Sequence, residues 1–336
     1  MSTNSSTEER PRIVAFGEIL WDMLPTGPRL GGAPFNFLYH ARVLGAEIQA
    51  LTRVGNDQLG LDVLRQLKEI GVPDDFVQVS PDAPTGVVDV TLDANGAPTY
   101  KIVEGVAWDE IKIDDSIATK TLKFLSGSSK SAFYFGSLAL RSPGNRESID
   151  RVISQLPSNV MKVCDLNIRA PFYSKKVVQF LLNSSDVFKL NDEEAVILDA
   201  LFVDEVPSPL SALADTKKGL GASIVDNKGA TDRILARWAE SWIERFRLKA
   251  IILTCGAHGA YLFNEGRASY APSIPVKVAD SVGAGDSFSA VCVVGLLQGV
   301  DDQKIVEAAS RRAAFVCTQP GAITTIDPSE ANPFRV

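Results

Sequence analysis

Asp286 stands at the end of the run Asp280-Ser281-Val282-Gly283-Ala284-Gly285-Asp286, directly ahead of an apolar stretch from Ser287 to Leu297 closed by Gly299. That stretch reads as a helix, which puts Gly283, Ala284 and Gly285 at its N-terminus. Backbone N–H groups there lack intrahelical partners, and the macrodipole is positive. Small side chains leave those groups open to an anion such as a transferring phosphoryl group. A carboxylate beside that seat can take the proton of a hydroxyl as it attacks phosphorus. A plainer reading also holds, because an acid in the first turn stabilises any helix. The tight cluster of Gly, Ala and Gly favours the anion site.

A second constellation is Gly31-Gly32-Ala33-Pro34-Phe35-Asn36. Paired glycines make a hinge, and Asn36 at the start of the next helix can bond a ligand hydroxyl or act as a helix cap. Asp22, in Leu20-Trp21-Asp22, has a carboxylate suited to two neighbouring sugar hydroxyls. A solvated loop acid is the plainer alternative, and Trp21 reads as core. Polar residues recur where apolar runs stop: Asp165-Leu166-Asn167-Ile168-Arg169, Asn191-Asp192-Glu193-Glu194, and Thr254-Cys255-Gly256. Lys189 reads as a solvated lysine at a strand end.

The elements that must position these groups follow from the pattern of apolar runs. Ile13 to Phe16, Ile48 to Val54, Ala132 to Tyr134, Val160 to Cys164, Val187 to Leu190 and Ala250 to Thr254 read as buried strands. Helical stretches run from Phe35 to Leu44, Gly60 to Ile70, Ser148 to Gln155, Ser287 to Leu297 and Gln303 to Cys317. Strands alternating with helices imply an α/β fold with a mostly parallel central sheet flanked by helices. In such sheets the ligand site lies at the carboxyl ends of the strands. Gly86 to Leu92 and Pro98 to Glu104 flank Asp93-Ala94-Asn95-Gly96, a hairpin signal inside the α/β pattern. The Gly- and Pro-rich run from Pro25 to Pro34 reads as a loop, and Val203 to Lys228 as loops around one helix.

The 336 residues are 45% apolar and 22% charged, an ordinary globular composition. A net charge of -7 argues against coating nucleic acid. Cys164, Cys255, Cys292 and Cys317 show no metal-finger spacing and read as buried free thiols. Two histidines cannot build a His-rich metal centre, and no run has the length of a membrane span. The polar start, residues 1–12, reads as a disordered tail without a signal peptide, so a cytoplasmic protein is expected. The first strand is followed by Gly17-Glu18-Ile19-Leu20 rather than G-x-G-x-x-G, which removes a nicotinamide dehydrogenase. GxxxxGK[ST] is absent, which removes a P-loop kinase.

Five blocks in order, GEILWDMLP, GGAPFN, DLNIR, KLNDEE and DSVGAGDSF, resemble the ribokinase/PfkB family of carbohydrate kinases. The resemblance runs from about Ile13 to about Ile326. It implies a ribokinase-like (Rossmann-like) sandwich over residues 13–330, with a small β lid from segments near 23–35 and 84–110. The implied activity is transfer of the γ-phosphoryl of ATP to a sugar hydroxyl. Asp286 resembles the catalytic base, and Gly283, Ala284 and Gly285 the anion hole. Asp22, Gly32 and Asn36 resemble the sugar-binding set, and Asn167 and Arg169 the residues near sugar and transferring phosphate. Asn191 and Glu194 match an N-x-x-E motif that positions Mg²⁺, largely through water. Thr254, Gly256, Gly259 and Gly321 resemble nucleotide-side positions, with His258 as a turn residue. Asp280, Val282, Gly321 and Thr325 resemble a K⁺ site of some members; Ser281 replaces the usual threonine there.

The GGAPFN and DLNIR blocks look like the fructokinase branch, which makes D-fructose the expected acceptor. Ribose and 2-keto-3-deoxygluconate are alternatives, for which Arg29 and Lys101 are candidate extra cations. A sugar-binding member without catalysis is the rival from another class, and it would be expected to lack Asp286. A homodimer through lid strands is expected, because a hairpin lid would otherwise present free edges.

Overall fold

The computed structural model describes residues 9–92, 98–206, 209–210, 228–324 and 333–334. The apolar runs become strands wherever they can be covered on both faces. They are β1 (Arg12–Phe16), β4 (Glu47–Gly55), β5 (Val77–Ser80), β8 (Ser131–Gly136), β9 (Met161–Asp165), β10 (Val187–Asn191), β11 (Ala250–Thr254), β12 (Ala260–Asn264) and β13 (Arg267–Ala271). Their order across the sheet is β13-β12-β11-β10-β9-β8-β1-β4-β5. From β11 to β5 every pair is parallel, and β12 and β13 add an antiparallel edge. A second sheet holds β2 (Leu20–Leu24), β3 (Gly27–Gly31), β6 (Gly86–Leu92) and β7 (Pro98–Ile102), in the order β3-β2-β6-β7.

Helices α1 (Ala33–Val43), α2 (Gln58–Glu69), α3 (Asp115–Leu125), α4 (Pro143–Ile153), α5 (Lys175–Asn183), α6 (Asp192–Leu201), α7 (Lys228–Phe246), α8 (Ala284–Gln298) and α9 (Asp302–Cys317) cover the central sheet. The two-residue period of β1 divides its side chains between two cores. Val14 and Phe16 join one with Phe133, Leu190 and Trp238, while Ile13 and Ala15 join the other with Tyr134, Phe37 and Val291. Helix α8 is apolar almost all round and packs against α1 and α9, so it is held from several sides. Among the described residues no helix is long and apolar enough to cross a membrane. The cysteines are free thiols, with Cys164, Cys255 and Cys292 buried.

Several boundaries differ from the sequence reading. The ordered chain includes Glu9, which accepts from the backbone N–H and hydroxyl of Ser129, and Arg12 already lies in β1. Residues 9–12 therefore belong to the domain rather than to a tail. At the other end, Phe334 packs on the core beside Gly295, beyond the expected limit at 330. The second sheet begins at Leu20 rather than 23, and residues 33–35 belong to α1. Trp108, inside the expected lid segment 84–110, is buried in the main core.

Asp22 lies within a strand rather than in a loop, and the supposed loop from Pro25 to Pro34 contains edge strand β3. Gly27 and Pro28 sit there because an edge strand tolerates a missing N–H donor. The hairpin is present as β6 and β7, with Leu92 opposite Pro98, while its Asn-Gly turn lies outside the described residues. Most of the irregular segment Val203 to Lys228 also lies outside them.

Candidate active site

The chain enters the sheet at β1, builds outward to β4 and β5, and returns on the other side of β1 at β8. Connections thus diverge between β1 and β8, and a crevice opens at the carboxyl ends of the strands. A small cleft lies there, lined by Glu18, Ala33, Tyr134, Ser137, Asp165 and Asn167.

Asp286 reaches this region from the first turn of α8. No side chain caps that helix, and Gly283 precedes it at φ 81°. A Cβ on Gly283 would overlap Ala322, and the left-handed backbone also disfavours one. Gly283→Ala should therefore displace the helix start and lower kcat by at least about 10²-fold, because misplacing a reacting group by an ångström costs that much. Steady-state kinetics beside an unchanged far-UV spectrum would check this. The Ala284 N–H lies 3.3 Å from the Ser281 carbonyl, a long turn contact.

Asn36 is buried on α1 and its Nδ2 donates to Asp286 Oδ2 at 2.8 Å. It is not the cap of α1, whose N-cap is Gly32. Its Oδ1 is buried without a protein partner, leaving an acceptor for a hydroxyl. Gly32 has φ 113°, and a Cβ there would overlap the Glu18 carbonyl, so glycine permits the close crossing of these two segments.

Burial and the nearby Asp165 push Asp286 up to about 6, against the opposing pull of Asn36, Lys189 and Arg169. Asp22 is raised by burial, with Arg169 opposing. Arg169 is exposed, and its charge acts on Glu18, Asp22 and Asp286 together. Asn167 adopts φ 39°, a left-handed conformation Asn tolerates better than most residues.

Three groups here were not anticipated as site residues. Glu18 is buried, and desolvation pushes its carboxyl up to about 7. Asp165 and Lys189 form a buried ion pair at 3.0 Å, so Lys189 is not the solvated residue expected. Both faces of a parallel strand are covered, which puts a mid-strand lysine inside with its partner. Asp165 also accepts from the Tyr134 hydroxyl at 3.1 Å and the Ser289 hydroxyl at 3.2 Å, tying the sheet to α8. A Cβ on Gly285 would lie 3.6 Å from Lys189 Nζ, so the ammonium sits beneath the glycine-rich helix start. Burial alone would lower the Lys189 pKa; Asp165, helped by Glu194 and Asp286, raises it.

Along the same strand ends, Asn191 caps α6 by accepting the Glu194 N–H at 2.8 Å. The Glu194 carboxylate accepts the N–H groups of Asn191 at 2.8 Å and Ile168 at 2.7 Å. Desolvation raises its pKa, with Lys189 opposing. Such a committed pair fits a magnesium ion that keeps its waters, not a direct protein cage. Among the described residues no cluster of His, Cys, Asp and Glu makes such a cage.

Thr254 lies directly opposite Asn191 in the β10–β11 pair. Gly256 and His258 form the short turn that follows, with Gly256 at φ 51° and Gly259 at φ 94°. Gly321 donates its N–H to Asp280 Oδ2 at 3.0 Å. Asp280 Oδ1 accepts the Val282 N–H at 3.0 Å, and Thr325 lies outside the described residues.

The chain is 26% identical to the probable fructokinase-3 of Arabidopsis thaliana, with 96% of this chain and 88% of that protein covered. Its fold matches the ATP-bound fructokinase of Xylella fastidiosa with a TM-score of 0.71 at 21% identity, covering 96% and 97% of the chains. It also matches the 2-dehydro-3-deoxygluconokinase of Thermotoga maritima with a TM-score of 0.74 at 21% identity, covering 96% and 98%. A family profile described as pfkB family carbohydrate kinase matches residues 26–329. With that profile matched over most of its length, the chain belongs to the pfkB family of carbohydrate kinases and is a sugar kinase.

Proposed function

We propose that this sugar kinase transfers the γ-phosphoryl group of ATP to D-fructose, giving fructose 6-phosphate. The observation that carries the transfer is the Asp286 carboxylate, held 2.8 Å from Asn36 at an uncapped helix start. The sequence similarity to fructokinases supports fructose over ribose and over the sugar acid.

The sugar lies between the second sheet, which acts as the lid, and the cleft beside β1. Asp22 and the free Oδ1 of Asn36 accept hydrogen bonds that its hydroxyls donate, and Gly32 allows its close approach. Asn167 and Arg169 face sugar and phosphate, and the planar Arg fork suits the latter. The nucleotide follows the strand ends past Thr254, Gly256, Gly259 and Gly321. Asn191 and Glu194 would hold the waters of a magnesium ion, which when bound offsets triphosphate charge. Asp286 takes the proton of the attacking hydroxyl, and the N–H groups at Gly283 to Gly285 receive the developing charge. Free edges at β3 and β7 support a homodimer, readable by sedimentation.

The test is ADP release with MgATP against fructose, ribose, 2-keto-3-deoxygluconate and tagatose. Fructose should give the highest kcat/KM; another leader would replace the substrate, and no stimulated release would overturn the proposal. Asp22→Ala should raise the sugar KM by about 10-fold or more with the ATP KM nearly unchanged, since a hydrogen bond to a charged group is worth about 1.5–3 kcal/mol. Equal changes in both would remove Asp22 from the sugar site.

A further inference from the structure

Arg29 lies directly opposite Asp22 in the β2–β3 pair. Its guanidinium extends away from the second sheet to stand 3.4 Å from the Asp280 carboxylate, and it runs along Gly321, where a Cβ would come within 3.5 Å. Both oxygens of Asp280 also meet backbone donors. One oxygen takes the Val282 N–H and the other the Gly321 N–H, both at 3.0 Å. The backbone N–H groups of Ala279 and Asp280 meet the Cys317 carbonyl at 2.8 and 3.3 Å. Asp280 therefore joins the loop before α8 to the loop after α9, and Ala322 of the second loop packs on Gly283. The start of α8 is braced by one carboxylate whose countercharge comes from another sheet.

A monovalent cation at Asp280 would have to share the carboxylate with a fixed positive charge, because the Arg29 guanidinium already stands 3.4 Å from Oδ2. Each oxygen accepts one backbone N–H group and keeps a lone pair, so the misfit of the described residues with the K⁺ ion that the family resemblance implies is one of charge.

We propose that Arg29 supplies from within the chain the positive charge that holds the Asp280 loop, so that turnover does not depend on K⁺ and does depend on the placement of β3. Arg29 is a positioning residue that acts through Asp280 on the helix start. The side chains are 43% and 24% exposed, so the pair contributes little to global stability. Its effect is geometric, at the point where a small displacement is most costly. The inference rests on the phosphoryl-transfer reading of the site.

The experiment uses the full chain with magnesium and the Tris salt of ATP, in KCl, NaCl or tetramethylammonium chloride at equal ionic strength. Wild-type rates should agree within about twofold, because general screening is then matched. Arg29→Ala should lose about 10-fold or more in tetramethylammonium chloride through displacement of the loop and regain part of it in KCl. Arg29→Lys, which keeps the charge, should stay near the wild-type rate in each salt.

A wild-type rate that climbs several-fold with KCl would overturn the proposal, and so would an Arg29→Ala variant with wild-type rates throughout. Thermal unfolding gives a readout without turnover: KCl should raise the midpoint of Arg29→Ala relative to tetramethylammonium chloride and leave wild type unmoved. Equal rises in both proteins would argue against Arg29. A chain with no sugar-stimulated turnover in any salt would instead defeat the phosphoryl-transfer reading, and the unfolding comparison would still decide the role of Arg29.

Discussion

Asp286→Asn is expected to lower kcat by about 10²–10⁴-fold, the usual contribution of a positioned general base, while ATP affinity stays close to wild type. The substitution keeps the shape of the side chain, so neither Asn36 nor the glycine-rich start of α8 has cause to move. Isothermal titration with ATP and rapid-quench measurement of the chemical step would separate the two effects. Near-normal turnover would remove Asp286 as the base. In the wild type, the carboxyl is pushed up to about 6, chiefly by burial. A base works only when deprotonated, so kcat/KM should fall as pH drops through about 6 and level off above it. Asn36→Leu removes a hydrogen bond that favours the charged form, so its acid limb should move to higher pH.

Lys189→Met should have the largest effect on folding among these substitutions. It leaves Asp165 buried without its cationic partner, and breaking such a pair costs about 3–5 kcal/mol. Urea unfolding would show the loss. The double variant Lys189→Met with Asp165→Asn removes both charges and should recover most of that stability. Turnover should not recover with it. The ammonium beneath Gly285 adds positive potential where phosphoryl charge develops, and its loss should cost about 10²-fold in kcat, comparable to one oxyanion donor. A double variant restored in both stability and turnover would make the pair purely structural.

Much of the central sheet was legible because parallel strands are continuous apolar runs that stop at polar residues, as at Asp165 and Asn191. The placement of Gly283 and Asp286 at a helix start was legible for a related reason, since small residues stand directly ahead of an apolar run there. Strand β3 was not legible. Gly27-Pro28-Arg29-Leu30-Gly31 has poor strand propensity, and only its pairing with β2 makes it extended. Lys189 was misread because its burial depends on Asp165, which lies on a different strand. The partner of Asn36 was hidden too, because Asp286 is 250 residues away in sequence. Glu18 carried no periodic signal, standing in a three-residue link between sheets.

That link has a mechanical consequence. Gly17, Glu18 and Ile19 alone join β1 of the large sheet to β2 of the small one, while Gly32 alone joins β3 to α1. Three extended residues reach only about 10 Å, so the small sheet cannot lift away as a free body. The other edge of the small sheet is moored as tightly: Val103, directly after β7, gives its carbonyl to Arg141 at 2.6 Å, and Trp108 a few residues on is buried in the main core. Such a sheet behaves as a plate pinned along two edges rather than as a hinged flap. Labels near Asp22 on β2 and near Lys101 on β7 should therefore both register small excursions.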